Sequence, residues 1–528
     1  MPGRASSRRS FFGAALGGSL HAGAPSRREN PNIVLILLDD MGYSDIGCFG
    51  GEIRTPSIDR LASEGVRLTR FHNNGVCCPT RASLLTGLFP HQAGVGHMDA
   101  DWGLPGYRGH LHRYCITLPE ALRDHGYRTI MSGKWHLGAA APDVPWARGF
   151  DHFYGIPQGG GVYFWPTTLA RDVVLFDRHD GRGPVVTTPG PEFYSTDAFT
   201  AYSVQQIRRS AEEDRPFFLY AAYVAPHFPH QAWESDVRKY LGAYMGGWEN
   251  LRRSRYRRQV EMGIIENRFQ LPPCDGGDWE NLPRDRKVAL DRQMAVYAAQ
   301  MDNLDRNVGR LLQTLAESGI EKNTLVLFLS DNGAQLNGPL GDEQRPGALF
   351  GSRESFGKYA RGWANLGNTP FRRYKLEQHE GGNSTPLIAR WPEGIRAAGR
   401  LQSQPGHVID IMPTCLEAAG LPARKVASAG RRQDLEGISL LPFLREPKQE
   451  APRTLFWEHM GNRAARIGDW KVVAAHGHPW ELYNLREDLT ELNDLAARLP
   501  GRVRELQAAY DQWAQRCHVL PWPVKRIR

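Results

Sequence analysis

The sequence predicts an α/β protein with a large mixed, mostly parallel β-sheet sandwiched by helices, plus a smaller C-terminal antiparallel sheet with a packed helix. Four short apolar runs end abruptly in polar residues, which is typical of strands buried on both faces of a helix-covered sheet. Segments with helical periodicity alternate with these runs, and such alternation indicates a layered α/β architecture. The four runs cover residues 33–38, 127–131, 217–224 and 324–329.

Three segments carry clear helical signals. Thr117 and Glu120 form a capping-box pattern, and Pro119 fits the first turn of the helix that follows. Residues 195–213 and 287–318 place apolar side chains at helical spacing. Because ligands of such folds bind at the carboxyl ends of the parallel strands, the polar residues after the four apolar runs mark the expected site.

The chain divides into three expected parts. A short segment that contains Pro and Gly, 396–406, is expected to be a surface turn, and residues 426–432 are expected to be a linker. After the linker, short alternating runs separated by turns predict the small antiparallel sheet, and residues 502–513 its helix. The predicted parts are an export signal and tail (1–30), a catalytic domain with an aperiodic insertion near the site (31–425, insertion 235–285), and a C-terminal subdomain (433–528).

Composition excludes several classes of protein. With 41% hydrophobic and 23% charged residues, the chain is neither disordered nor collagen-like. No apolar run reaches the roughly 18 residues that a transmembrane helix needs, so we expect no transmembrane segment. The net charge is +8, and the basic cluster 252–258 is interpreted as a solvated helix face or loop. Nothing interleaves basic and aromatic residues as a nucleic-acid groove does, so no nucleic-acid partner is expected.

The N-terminus indicates export. Arg8 and Arg9 precede a mildly apolar stretch, 13–20, a pattern that resembles a twin-arginine signal read by the export machinery of that name. The alternative is an unstructured basic tail. Small residues at 22–24 suit a signal peptidase, but Pro25 leaves the cleavage point open. We therefore expect a periplasmic or secreted protein.

The cysteine count is odd, and the pairing stays open. No spacing suggests a zinc site, and an oxidising compartment would permit disulfides that the sequence cannot assign. An unpaired cysteine raises the question of whether one thiol has a chemical role. The seven cysteines stand at positions 48, 77, 78, 115, 274, 415 and 517.

Two acidic pairs at strand ends predict a metal site. Asp39 and Asp40 follow the first apolar run, and Asp331 and Asn332 follow the fourth after one serine. Their hard oxygen atoms suit Ca²⁺, with Mg²⁺ as the other possibility. Asp39 and Asp40 alone would equally fit a turn or helix cap, but a second pair at an equivalent strand end favours the metal site.

One cysteine lies at a predicted helix start. Pro79 fits the first turn of a helix that continues through Leu85, and Cys77 would then lie at the helix N-terminus. Free backbone N–H groups stabilise anions there, and Arg81 follows by one turn. Taken alone, this arrangement fits either a reactive thiolate or an inert packed cysteine.

These residues resemble the sulfatase family of the alkaline phosphatase superfamily. The pattern C-x-P-x-R-A-S-L-L-T-G begins at Cys77, after a strand that ends in two aspartates. The resemblance extends from about Asn32 to Leu495, and the likeness is to bacterial arylsulfatases. The other motifs, in family order, are G-K-W-H-L-G from Gly133, A-P-H from Ala225, S-D-N-G from Ser330, N-T-P-F-R from Asn368 with Lys375, and E-G-G from Glu380.

The resemblance implies a modified nucleophile and a metal ion. Cys77 would be oxidised to formylglycine by a formylglycine-generating enzyme, and its hydrated aldehyde would attack sulfur and form an enzyme sulfate ester. The second hydroxyl of the hydrate would then expel sulfate and restore the aldehyde. The implied ligands of Ca²⁺ are Asp39, Asp40, Cys77 in its modified form, Asp331 and Asn332.

The resemblance also implies roles for five further residues. Arg81 and Lys134 would hold the formylglycine, and His136 would be the base for the elimination. Lys134, His227 and Lys375 would bind the sulfate group, with His227 or Lys375 assisting the leaving oxygen. This division is physically reasonable because cations stabilise an anionic transferred group, and a covalent step splits one difficult displacement into two.

Three departures from the family pattern stand out. Thr80 replaces the usual serine but keeps a hydroxyl. Cys78 beside Cys77 allows a competing disulfide or modification, and Ser384 stands where many relatives have a basic residue. Four aromatic residues are candidates for a wall around an aryl or sugar group, with core packing as the alternative: Trp102, Tyr107, Trp165 and Trp363.

The predicted function is hydrolysis of a sulfate ester, either aryl or small alkyl, with sulfated glycans as another possible substrate. One alternative is a phosphonate monoester hydrolase or phosphodiesterase of the same superfamily. Another is an inactive protein that binds sulfated glycans and whose Cys77 is never converted.

Overall fold

A computed structural model describes residues 3, 30–161, 163–164, 174–178, 183–336, 347–396, 398–447 and 450–526. Most of the predicted export signal, including Arg8 and Arg9, lies outside the described residues, as does Trp165. Within the described ranges, no helix combines the length and apolar character that crossing a membrane requires.

The main sheet has eleven strands in the described part of the chain. Six strand pairings are parallel and four are antiparallel, which confirms the mixed, mostly parallel sheet. In spatial order the strands are β10 (Arg400–Gln402), β2 (Val66–His72), β9 (Ser384–Arg390), β8 (Thr324–Ser330), β1 (Asn32–Asp39), β7 (Phe217–Pro226), β3 (Arg128–Lys134), β4 (His152–Ile156), β5 (Phe176–Arg178) and β6 (Val185–Val186), with β11 (Gly406–His407) also paired to β2.

The four predicted apolar runs form β1, β3, β7 and β8. Strand β1 lies at the centre, parallel to both β7 and β8. Its side chains alternate between two cores: Val34 and Ile36 belong to one, whereas Ile33 and Leu35 belong to the other. A strand buried on both faces cannot alternate with polar residues, and this is why the run is continuously apolar.

Helices cover both faces of the sheet. The predicted capping box is present: Glu120 N donates to Thr117 Oγ1 at 3.3 Å, and Thr117 N donates to Glu120 Oε2 at 2.8 Å. The predicted long helices are α4 and α7. The helices are α1 (Pro56–Ser63), α2 (Cys77–Thr86), α3 (Leu118–Asp124), α4 (Ser195–Glu212), α5 (Glu234–Val237), α6 (Trp248–Glu261), α7 (Arg284–Glu317), α8 (Arg361–Gly367), α9 (Glu380–Asn383), α10 (Ile411–Ala418), α11 (Leu441–Arg445) and α12 (Pro500–Arg516).

A second, antiparallel sheet follows near the C-terminus and has α12 packed on it, as predicted. The buried Lys471 ammonium bonds to Glu380 at 2.7 Å and to Glu491 at 2.9 Å, which fixes this sheet to the main domain. Its strands are β14 (Thr454–His459), β15 (Asn462–Ile467), β16 (Trp470–Ala474) and β17 (Glu481–Asn484).

Two local expectations were wrong, and a third was right only in part. The expected linker 426–432 lies in a hairpin of β12 (Lys425–Ser428) and β13 (Arg431–Asp434), and the expected surface turn 396–406 contributes β10 and β11 to the main sheet. The basic cluster lies on α6, but its Arg255 is buried and bonds to Asp45 at 2.6 Å and Glu52 at 2.7 Å. Distant acidic partners, which local charge counting does not consider, account for its burial.

Candidate active site

The two acidic pairs meet at the carboxyl ends of β1 and β8. The pairing of β1 with β7 shifts register between Leu37 and Asp39, and Asp40 adopts the left-handed conformation with φ of 69°. Its backbone N lies 3.4 Å from Asp331 Oδ1. The irregular end of β1 thus turns Asp40 towards the end of β8, as the strand-end argument predicted.

Two lysines neutralise the first acidic pair. Lys134 Nζ, at the end of β3, lies 2.5 Å from Asp39 Oδ2, and Lys375 Nζ lies 2.6 Å from Asp40 Oδ1. Burial would raise the pKa of Asp39, but Lys134 and the neighbouring cations outweigh it and lower that pKa to about 2. Burial would lower the pKa of Lys375, but Asp40 outweighs it and raises that pKa. Asp39 and Lys375 are therefore ionised near neutral pH.

Arg81 joins the nucleophile helix to the acidic residues. Its Nε and one terminal nitrogen contact Asp331 Oδ2 at 3.0 and 2.8 Å, and its other terminal nitrogen donates to the Lys134 carbonyl at 2.6 Å. The guanidinium also lies 3.6 Å from Asp39 Oδ2. A planar cation with several donors is suited to hold these groups in one fixed arrangement.

Three oxygens at this centre have no hydrogen-bond partner among the described residues: Asp39 Oδ1, Asp40 Oδ2 and Asn332 Oδ1. All three residues are at least 98% buried. Asn332 Nδ2 donates to Asp40 Oδ1 at 2.6 Å, so the amide orients with its oxygen free. Buried, unpartnered carboxylate and amide oxygens are the donor set that a hard divalent cation takes, so these residues fit such an ion.

Cys77 is the first residue of α2, and its side chain is buried. The Cys78 thiol lowers the pKa of Cys77 well below its ordinary value by hydrogen bonding, and Lys134 and Lys375 act in the same direction. The Thr80 hydroxyl accepts from Asn74 N at 3.0 Å, so the hydroxyl at this position fixes the loop before α2. All seven cysteines lie in the described chain, and all are free thiols.

His136 follows β3 and faces the start of α2. Its Nε2 lies 3.6 Å from Cys78 Sγ and 3.7 Å from Asp99 Oδ2, and its Nδ1 has no hydrogen-bond partner in the described chain. A Cβ at Gly159 would lie 1.9 Å from Nε2, so this close approach requires glycine. Sequence reasoning missed Asp99 and Gly159 because no periodicity or motif marks either residue.

His227 follows β7 on the other side of the acidic residues. Its Nδ1 donates to the Phe228 carbonyl at 2.5 Å, which leaves Nε2 of a neutral ring as an acceptor, 3.6 Å from Asp40 Oδ2. Burial lowers the pKa of His227 although Asp40 opposes the shift. The ring is therefore mainly neutral at pH 7.

Two residues that the sequence analysis singled out, Ser384 and Trp363, have partners inside the fold. Ser384 is buried in β9, where its hydroxyl donates to Glu380 Oε2 at 2.7 Å. Trp363 packs in the core against Trp248 with ring centroids 5.2 Å apart, so it is not part of an aromatic wall.

The remaining described aromatic candidates differ in exposure. Tyr107 is buried, whereas Trp102 is only partly buried and packs against His97 with centroids 4.5 Å apart. Trp165 lies outside the described residues. Among the described candidates, only Trp102 is left for the predicted wall, and it belongs to the same loop region as Asp99.

Comparison with known proteins gives a consistent result. The sulfatase family model matches residues 31–421. An uncharacterized sulfatase of Schizosaccharomyces pombe is 36% identical over 515 residues, covering 90% of this chain and 92% of the relative. An arylsulfatase of Klebsiella aerogenes is 34% identical over 440 residues, covering 80% and 94%. An N-acetylgalactosamine-6-sulfatase of Mus musculus is 30% identical over 503 residues, covering 92% and 78%.

Solved structures agree with the family match. A crystal structure of Ps i-CgsB in complex with k-i-k-neocarrahexaose aligns with a TM-score of 0.66 and 26% identity, covering 92% of this chain and 93% of that one. The family match and the named relatives together extend over both the main domain and most of the C-terminal subdomain. The chain therefore belongs to the sulfatase family and is a sulfuric ester hydrolase.

Proposed function

We propose that this protein hydrolyses aryl or small alkyl sulfate esters to an alcohol and inorganic sulfate, using a formylglycine made from Cys77 and a bound Ca²⁺ ion. The observation that carries the proposal is the set of unpartnered buried oxygens on Asp39, Asp40 and Asn332. The Lys134 and Lys375 ammonium groups contact the other carboxylate oxygens of Asp39 and Asp40. Both ammonium groups also lower the pKa of Cys77. Identity of 34% to the arylsulfatase of Klebsiella aerogenes supports the aryl ester.

The ion would be held by Asp39, Asp40, Asp331 and Asn332, together with the modified residue 77. When bound, Ca²⁺ supplies positive charge that stabilises the charge developing on the sulfate oxygens. Lys134 and Lys375 would neutralise the negative charge on Asp39 and Asp40 that the ion leaves uncompensated. These three aspartates and the asparagine stand at strand ends, and short hydrogen bonds hold their side chains in place.

Residue 77 would be the nucleophile. Hydrated formylglycine supplies an attacking oxygen at sulfur and, through its second hydroxyl, a route for releasing sulfate. Arg81 and Lys134 would hold that residue. Both are themselves fixed, because Arg81 donates to the Lys134 carbonyl and Lys134 donates to Asp39. Cys77 is only 1% exposed in the folded chain, so we propose that the formylglycine-generating enzyme acts before folding is complete.

Lys375 and His227 would bind the sulfate and assist the leaving oxygen. Lys375 is protonated and carries a hydrogen that it can donate. His227 in its neutral form has its proton on Nδ1, bound to Phe228 O, so Nε2 must first gain a proton before it can donate. This difference assigns the initial hydrogen bond to Lys375 and leaves His227 to accept or relay a proton.

His136 would act as the base that removes a proton from residue 77 during sulfate release. Its Nδ1 has no partner in the described part of the chain, and the Asp99 carboxylate lies near Nε2. A carboxylate at this distance stabilises the imidazolium that forms when the ring accepts a proton. Asp99 would therefore be a positioning residue for His136.

The paired arginines near the N-terminus support an export step by the twin-arginine machinery. We propose a periplasmic or secreted location on this pattern alone. A fusion of residues 1–30 to a reporter that is active only after export, compared with an Arg8→Lys/Arg9→Lys version, tests this step separately from catalysis.

A substrate panel tests the proposed reaction. Converted protein with Ca²⁺ is assayed on nitrophenyl sulfate, a short alkyl sulfate, sulfated glycans, and phosphonate and phosphodiester analogues, with Cys77→Ala as the control. The highest kcat/KM on an aryl or alkyl sulfate supports the proposal. Preference for sulfated glycans changes the substrate class, preference for phosphoryl substrates contradicts the proposal, and binding of a sulfated glycan without turnover favours a binding protein.

A further inference from the structure

Cys78 has no role in the proposed sulfatase chemistry, yet it lies beside the residues that do. Its Sγ is 3.6 Å from His136 Nε2 and 3.6 Å from Met98 Sδ. The ligating atoms of Cys77, Cys78 and His136 all lie within 4.8 Å of one another. These three residues are between 95% and 100% buried. Two thiols and an imidazole therefore lie together at the start of α2, and a thioether contacts one of the thiols.

The spacing suits a single soft metal ion. Metal–sulfur bonds of about 2.3 Å and metal–nitrogen bonds of about 2.0 Å place donors of a tetrahedral ion roughly 3.5–3.8 Å apart. The two measured contacts of Cys78 fall in this range. Gly159 keeps a side chain from covering His136 Nε2, because a Cβ there would lie 1.9 Å from that atom.

We propose that, in folded chains whose Cys77 has escaped conversion, Cys77, Cys78 and His136 bind a monovalent copper ion, with Met98 as a fourth and weaker donor. Thiolate and thioether ligands select Cu⁺, whereas a thioether adds little to a Zn²⁺ site. Binding releases thiol protons to solvent and changes no oxidation state. Such binding depends only on the unconverted thiol and not on the proposed sulfatase reaction.

This copper site is chemically distinct from the proposed calcium site. The unpartnered oxygens of Asp39, Asp40 and Asn332 are hard donors, whereas the cluster at Cys78 is soft. Conversion of Cys77 replaces one thiol with an aldehyde and so removes a donor. The site would therefore exist only in folded chains that have escaped conversion, where a bound ion occupies the nucleophile position.

The test uses full-length protein made in a host without the converting enzyme, with an unmodified Cys77 verified by peptide mass. Cu⁺ is titrated anaerobically against the chromophoric chelator bicinchoninate. We expect one Cu⁺ per chain, with sulfur and nitrogen neighbours in X-ray absorption. Cys78→Ser should weaken binding at least tenfold, Met98→Leu should weaken it less, and the control Cys274→Ser should match the unsubstituted chain.

A second measurement needs no substitution. Converted protein, which lacks the Cys77 thiol, should bind Cu⁺ at least tenfold more weakly than unconverted protein. Equal affinity of the two forms, unchanged affinity in Cys78→Ser, or tighter binding of Zn²⁺ than of Cu⁺ would overturn the inference. None of these outcomes depends on sulfate ester turnover, so a failure here is distinguishable from failure of the proposed function.

Discussion

Lys134 Nζ lies 2.5 Å from Asp39 Oδ2, and both side chains are fully inaccessible to solvent. The two residues end different strands of the main sheet, β3 and β1, and β7 lies between these strands. The contact therefore ties together both sides of the site across one strand. Each buried charge is also stabilised mainly by the other, because water solvates neither of them.

Lys134→Met should lower both stability and turnover. Losing the ammonium leaves Asp39 buried without its main partner, which costs about 3–5 kcal/mol in the free energy of unfolding. Turnover should fall by roughly 10²-fold or more, as for other lost electrostatic contacts to a transition state. Urea unfolding and steady-state kinetics measure the two effects. The control Lys425→Met breaks a pair with Asp434 whose side chains are 80% and 79% exposed, and should change neither quantity appreciably.

Removal of calcium should destabilise the protein, and Asn332→Ala should reduce this effect. At a Ca²⁺ concentration of about 100 times Kd, binding adds about 2.7 kcal/mol to the free energy of unfolding. Asn332→Ala removes one of the unpartnered oxygens, so its Ca²⁺ affinity should fall by roughly tenfold or more. Thermal unfolding across a Ca²⁺ titration measures both affinities, with the exposed Asn250→Ala as control. Identical Ca²⁺ dependence of Asn332→Ala and the unsubstituted chain would contradict the assigned site.

Acid should weaken the contact between the C-terminal sheet and the segment that carries Lys375. Glu481 on β17 contacts Arg372 at 2.6 Å and His379 at 3.1 Å. Burial would raise the pKa of Glu481, but hydrogen bonds from His379 and Tyr483 outweigh it and lower that pKa from 4.5 to about 2. A depressed folded-state pKa stabilises the protein above pH 4.5, and this stabilisation is lost as the pH falls through about 2.

The substitution Glu481→Gln measures how much the ionised Glu481 carboxylate contributes to the free energy of unfolding. At pH 7 it should lower the free energy of unfolding by about 1–2 kcal/mol, after allowance for solvent screening of a partly exposed side chain. The difference from the unsubstituted chain should shrink as the pH is lowered from 4.5 towards 2. Glu505→Gln, on the exposed face of α12, provides the control. A difference that stays constant with pH would show that the carboxylate charge is not responsible.

Gly159→Ala should impair catalysis more than folding. The added Cβ would lie 1.9 Å from His136 Nε2, so the imidazole must leave its present position near residue 77. A misplacement of about 1 Å can cost roughly 10²-fold in rate, so kcat should fall at least tenfold. Gly183→Ala is the matched control because its added Cβ would meet no atom within 4 Å. Unchanged kcat in Gly159→Ala would contradict the role proposed for His136.

Sequence alone predicts the main sheet and most of the site because each signal is local. A continuous apolar run such as 33–38 is required by burial on two faces, and Asp39 and Asp331 directly follow such runs. The resemblance to sulfatases adds Arg81, which the structure places against Asp331. These predictions needed no knowledge of which strands are neighbours.

The features that sequence reasoning missed depend on contacts between distant segments. The charge pattern places Arg255 in a solvated basic cluster, but Asp45 and Glu52 bury and neutralise it. Trp363 is a candidate for substrate contact by its residue type, but it packs in the core. Asp99 reaches His136 from an irregular loop that has no motif. Local patterns carry no information about such partners.

An aldehyde at position 77 is the group on which the whole proposed reaction depends. Turnover of nitrophenyl sulfate per chain tests this dependence in Ca²⁺-loaded samples whose converted fraction is determined by the mass of the Cys77 peptide. We expect turnover to rise in proportion to the converted fraction and to be absent, as in Cys77→Ala, when that fraction is zero. Full turnover in a sample that retains only the unmodified thiol would show that the aldehyde is not the nucleophile.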